Sequence, residues 1–259
     1  MIHTRLSEEK QVFRLPDVLA DTATHFCPGC HHGIVHRLLA DVLEGLGVVQ
    51  DTICVASVGC SVFIYNYLLV DTVESPHGRA AAVATGVKRA NPENVVFTYQ
   101  GDGDLAAIGL SEIVYAANRG ENMTVVFVNN TVYGMTGGQL APTTMLGQKT
   151  TTSQQGRSFE TDGAPLKMTE IMAGLPGVYF SARVAVNNIK NIKKAGKILK
   201  KGFANQLQNK GFSFVEFLSA CPTNWRMSPV EANERVGGEM IDYFPLGIFK
   251  DNDCEGPQS

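Results

Sequence analysis

Thr98-Tyr99-Gln100-Gly101-Asp102-Gly103-Asp104, followed by Val128-Asn129-Asn130-Thr131-Val132-Tyr133, are the two stretches that decide the fold. The apolar run Asn94-Val95-Val96-Phe97-Thr98-Tyr99 stops abruptly in an acidic glycine turn. A helical stretch then leads to a second apolar run, Met123-Thr124-Val125-Val126-Phe127-Val128, which ends in an amide pair. This pattern is a β-α-β unit with both polar turns at strand carboxyl ends, where open parallel sheets bind their ligands. An Asp carboxylate, an Asn amide oxygen and a nearby backbone carbonyl offer hard oxygen ligands on one side of a small divalent ion. Phosphate oxygens and water would fill the remaining octahedral positions that Mg2+ prefers. Asp-Gly and Asn-Asn pairs are each common in turns. The weight of the motif rests on both halves falling on consecutive strands.

The 259 residues can bury a substantial core, and 44% apolar with 18% charged residues describe a globular protein. A net charge of −3 carries no nucleic-acid or membrane signature. No apolar run approaches a bilayer span, and the polar start Met1-Ile2-His3-Thr4-Arg5 is no secretory signal, so a cytoplasmic protein is expected. Six cysteines in such a chain point to metal or redox chemistry rather than a disulfide framework.

Working outward, Ile34, Val35, Leu38, Leu39, Val42, Leu43 and Leu46 recur at helical spacing, and Gly45 and Gly47 mark the end. Strand-like runs fall near 52–56, 94–99, 123–128, 178–184 and 212–218, with helical patterns near 79–90, 106–118 and 188–208. The alternation predicts one α/β domain over 1–259, a mostly parallel sheet with helices on both faces. An amino-terminal arm and a carboxyl-terminal extension flank it. Residues 134–166 are rich in Gly, Thr and Gln, and a loop of that length is expected to cover a ligand or a partner chain. In the helix near 188–208, Lys190, Lys193, Lys194, Lys197, Lys200 and Lys201 read as a solvated face opposite Ile189, Ile192, Leu199 and Phe203.

Cys27-Pro28-Gly29-Cys30 precedes the first helix, Cys60 follows the first strand and Cys221 follows the last. Four thiolates converging on the ligand edge could hold zinc or a [4Fe–4S] cluster, and the Cys-x-x-Cys could also be a redox dithiol. Cys54, inside an apolar strand, reads as a small buried hydrophobe, and Cys254 has no evident partner.

These pieces together resemble the β subunit of the 2-oxoacid:ferredoxin oxidoreductases, thiamine-dependent iron–sulfur enzymes. The diphosphate-and-magnesium motif of thiamine diphosphate enzymes likewise opens with Gly-Asp-Gly and closes with Asn-Asn. The likeness runs from Phe26-Cys27-Pro28-Gly29-Cys30 to Cys221-Pro222-Thr223-Asn224-Trp225, through Val58-Gly59-Cys60-Ser61, His77-Gly78-Arg79-Ala80 and Tyr133-Gly134-Met135-Thr136-Gly137-Gly138-Gln139. It implies a thiamine diphosphate-binding fold in which Cys27, Cys30, Cys60 and Cys221 ligate one [4Fe–4S] cluster. Asp102, Asn130 and the Val132 carbonyl would bind Mg2+. Val58, Gly59, Cys60, Ser61, His77, Gly103, Asp104, Gly134 and Met135 would hold thiamine diphosphate. One departure is visible: the family usually has Gly-His after the second cysteine, where this chain has His31-His32, which puts the local turn in question.

The resemblance also implies an activity: oxidative decarboxylation of a 2-oxo acid with coenzyme A, the electrons leaving through the cluster to ferredoxin. The carboxylate that activates thiamine comes from another subunit in this family. The chain is therefore expected to act only with α, γ and δ-type partners. The 147–152 stretch looks most like the 2-oxoisovalerate members, with 2-oxoglutarate or pyruvate as alternative substrates. A non-catalytic, zinc-bearing adaptor subunit is the competing reading.

Overall fold

A computed structural model of the protein describes residues 14–254. The polar start at 1–5, read above as no secretory signal, lies outside the described residues. Main-sheet strands are β1 (Thr52–Ala56), β2 (Asp71–Glu74), β3 (Val95–Gly101) and β4 (Thr124–Asn129). A separate antiparallel ribbon, β5 (Val132–Tyr133) and β6 (Gln139–Leu140), comes next. The main sheet resumes with β7 (Val178–Ala185), β8 (Phe212–Leu218) and β9 (Gly247–Asp251). Its order is β2-β1-β3-β4-β8-β7-β9, and only the β7–β9 pair is antiparallel. The longer helices are α1 (His32–Leu46), α2 (Ala80–Ala90) and α3 (Leu110–Asn118). Then come α4 (Phe159–Asp162), α5 (Met168–Ala173) and α6 (Ile189–Leu207). Three short helices, α7 (Pro222–Trp225), α8 (Pro229–Arg235) and α9 (Ile241–Tyr243), lie near the carboxyl end.

Central strands read as continuous apolar runs because both of their faces are covered. In β3 and β4, Val96, Val125 and Phe127 face a core that includes Ala84 of α2, Ile113 of α3 and Met172 of α5. The alternate residues Phe97, Tyr99, Val126 and Val128 face Leu39 of α1 and Leu199 and Phe203 of α6. Helix ends follow local chemistry. Gly47, at φ +70°, closes α1, and the Asn188 side chain accepts the Asn191 N–H (2.9 Å) at the start of α6. On α6, Lys190, Lys193, Lys194, Lys197 and Lys200 are exposed while Ala195, Ile198, Leu199 and Phe203 are buried. Ile189 departs from the expected stripe: at the first turn it is 73% exposed.

Chain order reverses twice across the sheet. After β1 the chain adds β2 on one side and β3 on the other, and after β4 it skips a place that β8 later fills. The crevices at β1/β3 and β4/β8 are therefore switch points, and at such points the connecting segments diverge and leave room for a ligand.

His36 of α1 is buried against Phe26, Tyr67 and Tyr99, and neither ring nitrogen has a partner. Burial holds its value well below that of a free imidazole, so the folded protein carries it neutral. The unfolded chain takes up this proton below about pH 6.5, where the native state does not. Stability contributed by His36 is thus present above that pH and lost as the pH falls. Denaturant unfolding of wild type and His36→Leu between pH 7 and 5 should show a wild-type slope steeper by up to about 1.4 kcal/mol per pH unit. Equal slopes would show that His36 is charged in the native state.

Candidate cofactor and metal site

The acidic turn leaves β3 into a π-helical segment, Gly103–Ile108, a geometry often found at functional sites. Asp102 caps it and is 2% exposed. One carboxylate oxygen accepts the Gly103 N–H at 2.9 Å and the other accepts the Thr143 hydroxyl at 2.7 Å. Burial pushes this carboxyl up to about 7, against the pull of those bonds. Among the described residues no cationic side chain pairs with Asp102. An ionised carboxylate in that setting calls for a cation, and a divalent ion would supply it.

Asp104 is buried too, but its oxygens are committed to the protein. Oδ1 accepts from His77 Nδ1 (2.6 Å) and the Gly78 N–H (2.7 Å), and Oδ2 accepts from Gln100 Nε2 (2.6 Å). Its contribution to the cleft is therefore to aim His77, whose other nitrogen is left for a ligand. Gly103 has no room for a larger residue, since a Cβ there would stand 2.4 Å from the Tyr133 ring.

Beyond β4, Asn129 donates to Glu216 (2.7 Å), which is fully buried and paired with Arg183 at 2.9 Å. That ion pair anchors the amide turn from the neighbouring strands β8 and β7. Asn130 Oδ1 accepts the Val132 N–H at 3.3 Å, and the Asn130 carbonyl accepts from Trp225 Nε1 at 3.0 Å. Thr131 between them is a buried, β-branched residue at φ +63°, a strained conformation that only surrounding bonds can hold.

All the residues assigned from the sequence to Mg2+ or thiamine diphosphate line one cleft. They are Val58, Gly59, Cys60 and Ser61 after β1; His77; Asp102, Gly103 and Asp104 after β3; and Asn130, Val132, Gly134 and Met135 after β4. His32, Gly101, Tyr133 and Thr136 share the lining and went unassigned. His32 could have been suspected from its place two residues past Cys30. Its Nδ1 lies 2.6 Å from the Tyr99 hydroxyl, and burial lowers its value to about 3. Unpartnered buried polar atoms also gather at these strand ends, namely Ser57 Oγ, Gln100 Oε1, Thr131 Oγ1 and Ser219 Oγ.

Only Cys60 of the cysteine set lines the cleft, but the four thiols form one electrostatic group. Burial raises Cys30 and Cys60 to about 12 and also raises Cys221, and mutual repulsion adds to it: every pairing among Cys27, Cys30, Cys60 and Cys221 contributes. Cys54 is fully buried in β1 and stands apart, as expected of a small hydrophobe. Cys254, for which no partner was expected, reaches Asp251 at 3.5 Å. The Cys27-to-Cys30 turn is closed by a Cys30 N–H to Cys27 carbonyl bond (3.0 Å), with Gly29 at φ +79° against Pro229 of α8. His31 sits at φ −81°, so this turn takes its left-handed residue at Gly29 and has no need of glycine at 31. His31 Nδ1 accepts the Ala220 N–H at 3.2 Å, tying the turn to the segment that carries Cys221. Asn224 closes the circle by donating to Cys221 Sγ (3.3 Å) and the Gly134 carbonyl (2.9 Å).

The donor sets suit the two groups differently. Among the described residues no three His, Cys, Asp or Glu side chains are placed to share a single ion. On the cleft side, one carboxylate with amide and carbonyl oxygens suits a hard ion that also binds phosphate.

Residues 57–217 match the family of thiamine pyrophosphate enzymes in their C-terminal TPP-binding domain. The chain is 46% identical over 256 residues to the ketoisovalerate oxidoreductase subunit VorA of Methanothermobacter marburgensis, covering 95% of this chain and 54% of that one. The chain thus spans about half the length of that relative. It is 40% identical over 240 residues to the 2-oxoglutarate synthase subunit KorB of Archaeoglobus fulgidus, covering 88% and 84% of the two chains. To the 2-oxoacid:ferredoxin oxidoreductase subunit beta of a Sulfolobus species it is 30% identical, covering 88% and 82%. A solved structure of the 2-oxoglutarate:ferredoxin oxidoreductase from Magnetococcus marinus superposes with a TM-score of 0.73 at 24% identity, over 94% of this chain and 87% of that one. That likeness is one of fold, the thiamine diphosphate-binding fold. Among the described residues no helix is long and apolar enough to cross a membrane.

Proposed function

The chain belongs to the 2-oxoacid:ferredoxin oxidoreductase β subunits, and from that premise we propose that it binds thiamine diphosphate through Mg2+ beside a [4Fe–4S] cluster and decarboxylates a branched-chain 2-oxo acid. Coenzyme A accepts the acyl group and ferredoxin the electrons. Cys60 is the observation that carries this reading. Its sulfur lies against Gly134, 3.1 Å from where a Cβ would stand, in the wall of the cofactor cleft. It also interacts with Cys27, Cys30, Cys221 and Asp102. One side chain thus lines the cofactor cleft and belongs to the cysteine group, which supports a reading in which the cluster would sit next to the cofactor.

When bound, thiamine diphosphate supplies a nucleophilic carbon and an electron sink for decarboxylation. The chain's own residues would do the holding. Asp102, Asn130 and the Val132 carbonyl would hold the metal, and His77, aimed by Asp104, would hold the diphosphate. The Val58-to-Ser61 turn, Gly103, Gly134 and Met135 would enclose the cofactor. Cys27, Cys30, Cys60 and Cys221 would hold the cluster. Membership of this family favours this reading over the zinc-bearing adaptor. The single α/β domain with its arm and extension would be one subunit of an assembly with α, γ and δ-type partners, which bring the activating carboxylate.

The branched-chain preference rests on the 147–152 stretch and on the 46% likeness to a ketoisovalerate subunit. An apolar pocket separates 2-oxoisovalerate from pyruvate weakly, whereas 2-oxoglutarate needs a partner for a second carboxylate. Dye-reduction rates under coenzyme A should be highest for the assembled complex with 2-oxoisovalerate, and absent for the purified chain alone. Turnover by the chain alone would contradict the need for a partner carboxylate. A strong 2-oxoglutarate preference would contradict the substrate assignment.

A further inference from the structure

We propose that residues 141–148, held by Arg157, form a positioning clamp that fixes Asp102 and the Asn130 turn in the arrangement a metal diphosphate requires. The inference rests on the cofactor reading above and names the residues that make its metal site rigid. Thr143 has no exposed surface, and its hydroxyl donates to Asp102 at 2.7 Å across 41 residues of sequence. The Gly103 N–H is on the other oxygen, so the two donors divide between the two carboxylate oxygens. The lone pairs that remain are free to face the cleft.

The neighbouring residues grip the other half of the motif. The Thr131 carbonyl accepts from the Thr144 hydroxyl at 2.6 Å and from Gln148 Nε2 at 3.2 Å. Thr131 is the strained residue directly after Asn130, and these bonds, with its own N–H on Asn129 Oδ1 (3.2 Å), hold it at φ +63°. Consecutive threonines thus tie the two halves of the metal motif to a single segment.

Arg157 keeps that segment in place. Its guanidinium donates to the carbonyls of Ala141 (3.0 Å), Pro142 (2.9 Å) and Thr144 (3.0 Å) on one side. On the other it donates to Asp162 (2.9 Å), Gly163 (2.9 Å) and Ala164 (3.1 Å). A planar fork of donors among carbonyls, together with the backbone bridge between Leu146 and Arg157, fixes the loop. Arg157 touches neither the metal residues nor the cleft lining, so it acts through Thr143 and Thr144.

The test is a Mg2+ titration of thiamine diphosphate uptake by the full complex, comparing wild type, Thr143→Val and Thr143→Ser. Valine keeps the shape and loses the donor, and serine keeps the donor. Thr143→Val should raise the half-saturating Mg2+ concentration by about tenfold or more, as expected for a lost hydrogen bond to a charged group. Thr143→Ser should stay within about twofold of wild type. At saturating Mg2+, kcat should change much less than the Mg2+ requirement, a split that general loosening of the fold would not produce. Should Thr143→Val fail to fold, Thr144→Val reads the same claim through Thr131. Wild-type Mg2+ dependence in the valine variant overturns the clamp and leaves the cofactor reading standing. Failure of wild type to take up the cofactor overturns both.

Discussion

Asp102→Ala is expected to abolish Mg2+-dependent binding of thiamine diphosphate, a loss of at least about a hundredfold in affinity, while the fold remains. Asp102 would be the one charged protein ligand of the metal, and neither an amide nor a carbonyl oxygen replaces its charge. The fold tolerates the change because burial already disfavours the ionised carboxylate, lifting it to about 7. Removing it leaves the Thr143 hydroxyl and the Gly103 N–H without an acceptor, at a cost of about 1–3 kcal/mol each. Relief of the buried charge offsets part of that. Asp102→Asn keeps the shape and an acceptor oxygen and should lose the metal as well, which separates charge from packing. Trp225, the single tryptophan, donates to the Asn130 carbonyl, so its fluorescence reports the site. A cofactor-dependent signal of wild-type affinity in either variant would show that the Gly101-Asp102-Gly103-Asp104 turn is only a turn.

Cys221→Ser is expected to remove or degrade the cluster, taking the broad brown absorbance of the anaerobically prepared complex with it. Cys221 is buried after β8, on the same sheet edge as Asp102 and Cys60. Serine is close in size and can still accept from Asn224, so packing survives. What is lost is a soft thiolate, and an alkoxide is a poor and weakly populated substitute as an iron ligand. Iron and acid-labile sulfide should fall together relative to wild type. A full [4Fe–4S] signal in the variant would take Cys221 off the ligand set, and zinc without sulfide in the wild type would favour the adaptor.

Where the sequence could be read, and where not, follows from burial. Strands such as Thr52–Ala56 and Phe212–Leu218 are covered on both faces and so spell continuous apolar runs. β2 (Asp71–Glu74) is a largely exposed edge strand with two acids, and β9 (Gly247–Asp251) is a half-exposed antiparallel edge, so neither carries such a run. The helices at Pro222–Trp225 and Pro229–Arg235 are too short for a period to show. The assigned cleft-lining residues were legible because each belongs to a short motif that follows a strand, whereas His32, at the start of α1, carries no such signal. The hydrogen bonds of Thr143, Thr144 and Arg157 could not be read from the sequence, since most of their partners lie far away along the chain and polarity alone reads as solvent exposure. The question raised by His31 was one of backbone angle, and φ −81° answers it.

The most direct test of the account is the iron–sulfur absorbance of the anaerobic complex on mixing with 2-oxoisovalerate and coenzyme A. If this chain sets a thiamine diphosphate cleft against a cysteine-held cluster, the visible absorbance bleaches as the cluster is reduced, and it does so only with thiamine diphosphate and Mg2+ present. Unchanged absorbance in the fully loaded wild-type complex with each of the three 2-oxo acids, or equal bleaching in Asp102→Ala, would contradict it.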